Sequence, residues 1–313
     1  MHEWDDSLRR AYVFGNVAVD EVFQMRALPA NGQSVLAQSN SMALGGKGAN
    51  QAIALARTGV QTTLVTAIGA DRNGELIERA LAEEPLECTA MSRASTASDR
   101  SIILADEAGD NAVVTTNACA ESLTLAECLP VLEQAREGDA VLVQGNLRPD
   151  LTLDLCKEAH RRKLWTIVNP SPFDDVFREI LPLTDVLFLN EAEALELTKL
   201  SKDAATSALL SAGAAQVVLT LGPKGAIMAT KTHILHVPAA PSLAVDPTGA
   251  GDIFEGVAVG SAILRGSGLD EAALIHGSFA AAVTVGRIGA VSAFPSVQDI
   301  AELIRDNSAV SDA

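Results

Sequence analysis

Short β-branched apolar runs alternate with longer Ala/Leu/Glu-rich segments along most of the chain. "AYVFGNVAVD" (11–20) reads as a first strand and "GANQAIALARTG" (48–59) as a helix closed by Gly59. "TTLVTAIG" (62–69) and "NGELIERALAEE" (73–84) repeat the pair. After a middle section come strand "DAVLVQG" (139–145), helix "LDLCKEAHRRK" (153–163) and strands "LWTIVNP" (164–170) and "TDVLFLN" (184–190). Helix "EAEALELTKL" (191–200) and strand "AQVVLTLG" (215–222) close that series, and two long helices follow over 250–265 and 270–286. Strands so continuously Val/Leu/Ile are buried on both faces, which predicts an α/β fold: a three-layer, doubly wound, mostly parallel sheet covered by helices. Without a linker or a break in composition, residues 1–313 are expected to form one domain.

One region departs from the alternation. "DRSIILADEAGDNAVVTT" (99–116) places two alternating strands around a Glu-Ala-Gly-Asp turn, and "SVLAQSNSMALG" (34–45) is also extended. Segments near 20–44 and 99–116 are expected to build a small β-sheet lid outside the main sheet. The alternative is an edge hairpin of the main sheet. Trp165 and Phe188 are read as core.

With 48% hydrophobic and 20% charged residues, the composition is that of a globular protein. A formal charge of −17 argues against nucleic acid or an anionic membrane as partner. It does not exclude a phosphate ligand, since a local nest of amides can override an acidic surface. Cys88, Cys119, Cys128 and Cys156 form no CxxC pair and are read as free thiols. His233 and His236 are not expected to bind metal. "MHEWDDSLRR" lacks an apolar core and no apolar run reaches about 18 residues, so neither signal peptide nor membrane span is expected, and a cytoplasmic location is.

"VDPTGAGDIFEGVAVG" (245–260) sets two aspartates about a Gly-Ala-Gly bend that runs directly into an apolar helix. The bend leaves free N–H groups where the helix macrodipole favours negative charge. Asp252 beside them would be repelled by a resident phosphate, yet suits a base for a hydroxyl that attacks one. Amides stabilising a moving phosphoryl group and a carboxylate taking a proton fit phosphoryl transfer to an alcohol. By themselves, the same residues would also make an ordinary helix with Asp in its first turn.

"LGGKGANQAIALARTG" (44–59) is a second glycine-rich turn entering a helix. It is not a Walker P-loop, because Gly48 follows Lys47 where Ser or Thr is needed, and it lacks GxGxxG. A polyhydroxyl ligand touching backbone there could be held by Lys47 and Asn50. Together, "GGKGANQAIALARTG" and "DPTGAGDIFEGVAVG" resemble the two signatures of the ribokinase-like (PfkB) carbohydrate kinases, in the same order and spacing. The likeness continues in "VNPSP" (168–172), "NEAE" (190–193), "TLGPKG" (220–225) and "GRIGAVSAFPS" (286–296).

The resemblance implies that Asp252 is the catalytic base and that the amides of Gly249, Ala250 and Gly251 form the anion hole. It implies Asn190 and Glu193 in the phosphate and Mg²⁺-water network, and Thr220, Gly222, Lys224, Gly225 and Ser278 at ATP. It further implies a monovalent cation, K⁺, to which Asp246, Thr248, Thr284, Arg287 and Gly289 would supply oxygens, mostly from the backbone. Asp20, Gly46, Lys47, Gly48, Asn50 and Asn146 would hold the sugar. Two positions depart from ribokinases: the Asn of their Asn-x-Asp is Ala18 here, and their mid-chain Glu is Asn146. Pro247 also replaces a Thr of the second signature. Because sites built to bond a hydroxyl discriminate steeply, ribose itself is left open. The expectation is an ATP-dependent sugar kinase acting on a hydroxymethyl group, dimeric through its lid. Rivals are a nucleoside kinase of the same fold (disfavoured by 4% aromatic content), an NAD-dependent oxidoreductase and a non-catalytic sugar sensor.

Overall fold

The first apolar run does not stay in one sheet. In the computed structural model, which describes residues 9–107 and 111–308, it divides at Gly15–Val17 into β1 (Ala11–Phe14) and β2 (Ala18–Met25). β1 is apolar throughout and lies in the interior of the large sheet, third from one edge. β2 acquires Asp20, Glu21 and Gln24, which cannot be covered on both faces, and it crosses into a second sheet. Strand β3 (Ser39–Gly45) pairs with it antiparallel and leads directly into α1 (Lys47–Ala56).

The chain then winds through β4 (Thr62–Gly69), α2 (Arg72–Ala82) and β5 (Glu87–Arg93). The hairpin β6 (Arg100–Asp106) and β7 (Asn111–Thr115) follows; its turn residues 108–110 lie outside the described residues. Next come α3 (Ala118–Glu121), α4 (Leu125–Leu132), β8 (Ala140–Gln144), α5 (Pro149–Arg161), β9 (Trp165–Asn169), α6 (Phe177–Ile180), β10 (Val186–Asn190), α7 (Glu191–Thr198), α8 (Lys202–Ser211) and β11 (Gln216–Thr220). The chain ends with β12 (Ala226–Thr230), β13 (Ile234–Val237), α9 (Ala250–Leu264), α10 (Glu271–Val285) and α11 (Val297–Ser308).

The nine-stranded sheet has the order β13-β12-β11-β10-β9-β8-β1-β4-β5, parallel from β11 through β5. The pattern did not reveal β5, half-exposed at one edge, nor β12 and β13, two short runs that pair antiparallel at the other. Alternation along β1 sends Ala11 and Val13 to one core with α1, α2, α9, α10 and α11, and Tyr12 and Phe14 to the other with α3 to α8. Phe188 is buried and meets Phe254 edge-on at 6.3 Å; Trp165 is half-buried against the same core. The strand order reverses at β1 and β8, and such a switch point opens a crevice at the carboxyl ends of the strands.

The expected lid exists as a separate four-stranded sheet, β3-β2-β6-β7. Pairing of Ile102 with Val114 and Leu104 with Ala112 confirms the hairpin register. Asp20 and Ser101 share one face, both buried; Phe23, Ile102, Leu104, Met42 and Val114 share the other. Among the described residues, no helix is long and apolar enough to cross a membrane.

Candidate active site

The glycines before α1 are there because backbones cross closely. Gly46 adopts φ 93, and a Cβ on it would lie 2.8 Å from the backbone of Val17 and Ala18. A Cβ on Gly45 would collide with the Asp20 carboxylate. Asn16 fastens the crossing by accepting the Gly48 N–H at 3.1 Å. Helix α9 packs equally closely on α1, since Gly256 faces Ala54 and the backbone of Leu55. The start of α1 and the first turns of α9 are thereby brought together at the switch point.

Asp252 sits in that junction, 7% exposed. Its Oδ2 accepts Asn50 Nδ2 at 3.0 Å; its Oδ1 accepts Gln51 Nε2 at 3.4 Å and lies 3.7 Å from Lys47 Nζ. Burial pushes its carboxyl above the ordinary range, while Lys47 and the Asn50 and Gln51 amides pull the other way. Burial draws the Lys47 ammonium down, but Asp252, Glu193 and Glu255 more than offset it and hold it raised. Lys47 is thus kept charged, so Asp252 keeps a counter-ion. Asp20 is buried to 8% exposure and pushed up to about 6, chiefly by burial, with a hydrogen bond from Ser101 opposing and the Asp252 charge adding. The Asp252 charge therefore reaches the lid residue expected to hold a sugar.

Of the three amides expected in the anion hole, the Ala250 N–H donates to the Pro247 carbonyl at 3.1 Å, leaving those of Gly249 and Gly251 as candidates. Gly249, at φ 75, caps α9 in the left-handed region. Asn146 follows β8 at the same switch point, buried, with its Oδ1 unpaired.

Asn190 and Thr220 end β10 and β11 side by side. Asn190 and Glu193 form a reciprocal capping box on α7, at 2.9 and 2.8 Å, so both side chains already have a structural role. The charge of Glu193 is nonetheless felt at Lys47, Asp252 and Glu255. Gly222, Lys224 and Gly225 make the turn into β12, closed by the Leu221 N–H on the Gly225 carbonyl at 2.7 Å. Ser278 ties α10 to the preceding loop by accepting the Ala240 N–H at 2.9 Å.

Asp246 accepts the amides of Thr248 and Gly289, each at 2.9 Å, drawing three residues of the expected cation set together. The Thr284 hydroxyl donates to the Ala280 carbonyl at 3.0 Å within α10, and its backbone carbonyl, which accepts the Arg287 N–H at 3.0 Å, keeps a second lone pair. Arg287 reaches the Ala293 carbonyl at 3.4 Å. No three His, Cys, Asp or Glu side chains among the described residues are grouped to hold a metal. His233 lines a cavity of 460 Å³ between α8 and the β12–β13 turn, apart from this junction.

The structure also adds residues that motif reading passed over: Gln51, Gln144, Asn169 and Glu255, all buried and bonded to one another or to Asp252. Their signal was polar residues in otherwise apolar elements, above all one acid in "IFEGVAVGSAIL", three positions after Asp252 and so on the same helix face.

Residues 13–297 match the pfkB family carbohydrate kinase. The chain is 31% identical to a ribokinase of Bacillus subtilis, over 95% of this chain and all of that one. A Cryptococcus neoformans ribokinase solved in complex with ADP superposes with a TM-score of 0.79 at 26% identity, covering 94% of this chain and 99% of that one. An Arabidopsis thaliana ribokinase complexed with ribose and ATP shares the fold, with a TM-score of 0.84 at 23% identity over 95% and 99% of the two chains. Two glycine-rich turns meeting at an Asp-headed helix, on a sheet shared with these structures, establish that the chain belongs to the pfkB carbohydrate kinase family, whose members are ATP-dependent phosphotransferases acting on sugar hydroxyls.

Proposed function

We propose that the chain transfers the γ-phosphoryl group of ATP to a hydroxymethyl group of a pentose, hexose or related sugar, with Asp252 as general base. The observation that carries this is Asp252 itself, buried at the head of α9 between Lys47, Asn50 and Gln51. Raised by burial yet paired with an ammonium, its carboxylate is basic enough to take a proton from an alcohol that attacks in line. The Gly249 and Gly251 amides and the positive end of the α9 dipole would stabilise charge on the migrating phosphoryl group. Asp20, Gly46, Lys47, Gly48, Asn50 and Asn146 would hold the sugar. Asn50 and Asn146 support this with buried, unpaired Oδ1 atoms that hydroxyl donors would satisfy.

The side-by-side ends of β10 and β11, with the turn to β12, are the proposed seat of ATP, contributing Asn190, Thr220, Gly222, Lys224 and Gly225, with Ser278 behind them. Mg²⁺ would neutralise charge on the ATP phosphates. Such an ion keeps waters and needs few protein oxygens, and Glu193, whose charge is felt at Asp252, would hold its waters. Asp246, Thr248 and Gly289, drawn together by hydrogen bonds, support an oxygen-lined K⁺ site beside α9, to which Thr284 and Arg287 would add backbone oxygens.

The lid would close over the sugar with its Asp20 face. Its opposite face, with Phe23, Ile102, Leu104, Met42 and Val114, would pair with a second copy. Sedimentation as a monomer at micromolar concentration would overturn that pairing. An ADP-release screen over pentoses, hexoses, sugar acids and nucleosides tests the reaction. ADP released with a sugar supports it; turnover confined to nucleosides, or absent with every acceptor, overturns it.

A further inference from the structure

Behind Asp252 lies a second carboxyl with no part in the reaction as described above. Glu255 is 1% exposed, one turn further along α9. Its Oε2 accepts two amide N–H groups, from Gln51 Nε2 at 3.1 Å and Asn169 Nδ2 at 3.0 Å, while its buried Oε1 has no partner. The same Gln51 nitrogen donates to Asp252 Oδ1, so one amide bridges the two acids. Gln144 Nε2 donates to Gln51 Oε1 at 2.6 Å, which fixes which end of that amide faces them.

We propose that Glu255 is a positioning residue, held as the neutral acid so that Gln51 aligns Asp252, and that its ionisation turns the site off at alkaline pH. The two-acceptor oxygen is the carbonyl end, which leaves the proton on Oε1. As a carboxylate, Glu255 would carry charge on a buried oxygen without a partner. Asp252 on its own helix and Glu193 from α7 also disfavour that charge, and Lys47 from α1 is the cation that favours it. Its two bonded neighbours, Asn169 from β9 and Gln51 from α1, are neutral amides, as is Gln144 from β8, which bonds Gln51. Burial foremost, then Asp252, hold Glu255 up to about 8 against the Asn169 bond and Lys47. Losing that proton would set a second negative charge one amide away from the base, near where phosphoryl charge must gather, and would compete for Gln51 and Lys47.

The inference rests on Asp252 as base, and its test separates the two. The kcat of wild-type protein and of Glu255→Gln is followed from about pH 6 to about pH 10 with saturating ATP and the best sugar from the screen. The variant keeps a two-acceptor oxygen and a donor, so its kcat near neutrality stays within about threefold of wild type. Wild-type kcat falls with a midpoint near 8, and in the variant that fall moves up by at least about one pH unit or disappears. Glu255→Leu, which keeps no acceptor, loses at least about tenfold in kcat with little change in KM for ATP. Superimposable wild-type and Glu255→Gln profiles, or a loss of about 100-fold in Glu255→Gln at neutrality, would overturn the proposal. Should that variant not fold, infrared spectroscopy of the wild-type protein supplies the readout. A protonated carboxyl band bleaching near pH 8 supports the proposal, and no such band above neutrality sinks it. Asp252→Asn should lower that midpoint; an active Asp252→Asn would defeat the base and leave the band in place.

Discussion

Replacing Asp252 with Asn removes the base while keeping its shape. The new side chain retains one oxygen for Gln51 or Lys47 and presents an NH₂ where a carboxylate oxygen stood. That NH₂ would oppose Asn50 Nδ2, but Asn50 Oδ1 is buried and unpaired, so rotating the Asn50 amide restores a bond. The lost Lys47 pair, 3.7 Å long with the lysine a quarter exposed, contributes little stability, and removing a buried charge offsets the loss. Folding is therefore retained. A general base supplies roughly 10²–10⁴ in rate, or about 3–5 kcal/mol of barrier. Coupled ADP-release kinetics should show kcat reduced by that factor with KM for ATP held within about threefold. A kcat within about tenfold of wild type in a correctly folded variant would refute the role, since among the described residues no other carboxylate meets Lys47, Asn50 and Gln51 together.

Gly45→Ala should lower the melting temperature and raise sugar KM at least about tenfold, with KM for ATP unaffected, because the added methyl displaces the buried Asp20 carboxylate; equal effects on both substrates would refute this. Asp20, raised to about 6, binds its proton more tightly folded than unfolded. Its contribution to stability is thus full below its unfolded pKa near 3.8 and is lost as pH rises through 6, while sugar kcat/KM should rise over that upper range and become flat in Asp20→Asn. His276, fully buried with Ser261 Oγ at 2.7 Å from Nδ1, is depressed to about 4 by burial above all. Stability should therefore fall as pH drops from 6.5 toward 4, and acid-denaturation curves of His276→Gln should lack that component. Asn190→Ala opens the α7 capping box and should cost about 0.5–2 kcal/mol in urea denaturation.

Local chemistry settled a great deal in advance. Apolar periodicity determined a helix-covered parallel sheet, and "GGKGAN" and "DPTGAGD" marked two helix starts with glycines where backbones must come close. Asp252, Lys47 and Asn50 could be singled out at those two helix starts, and the resemblance of both motifs to the family signatures is what set them apart from ordinary capped helices. What the sequence could not decide depends on long-range pairing. β1 and β2 are continuous in the apolar pattern, yet Gly15–Val17 divides them between sheets, because only the folded chain shows which strand will be covered on both faces. β12 acquires its strand identity from pairing to β11, and β13 from pairing to β12, not from their own four or five residues. The polar layer of Gln51, Gln144, Asn169 and Glu255 arises from four elements between 51 and 255 in the chain, so no local window contains it. Propensity and motif act over a few residues, whereas a buried proton is placed by partners that only the tertiary fold brings within hydrogen-bonding distance.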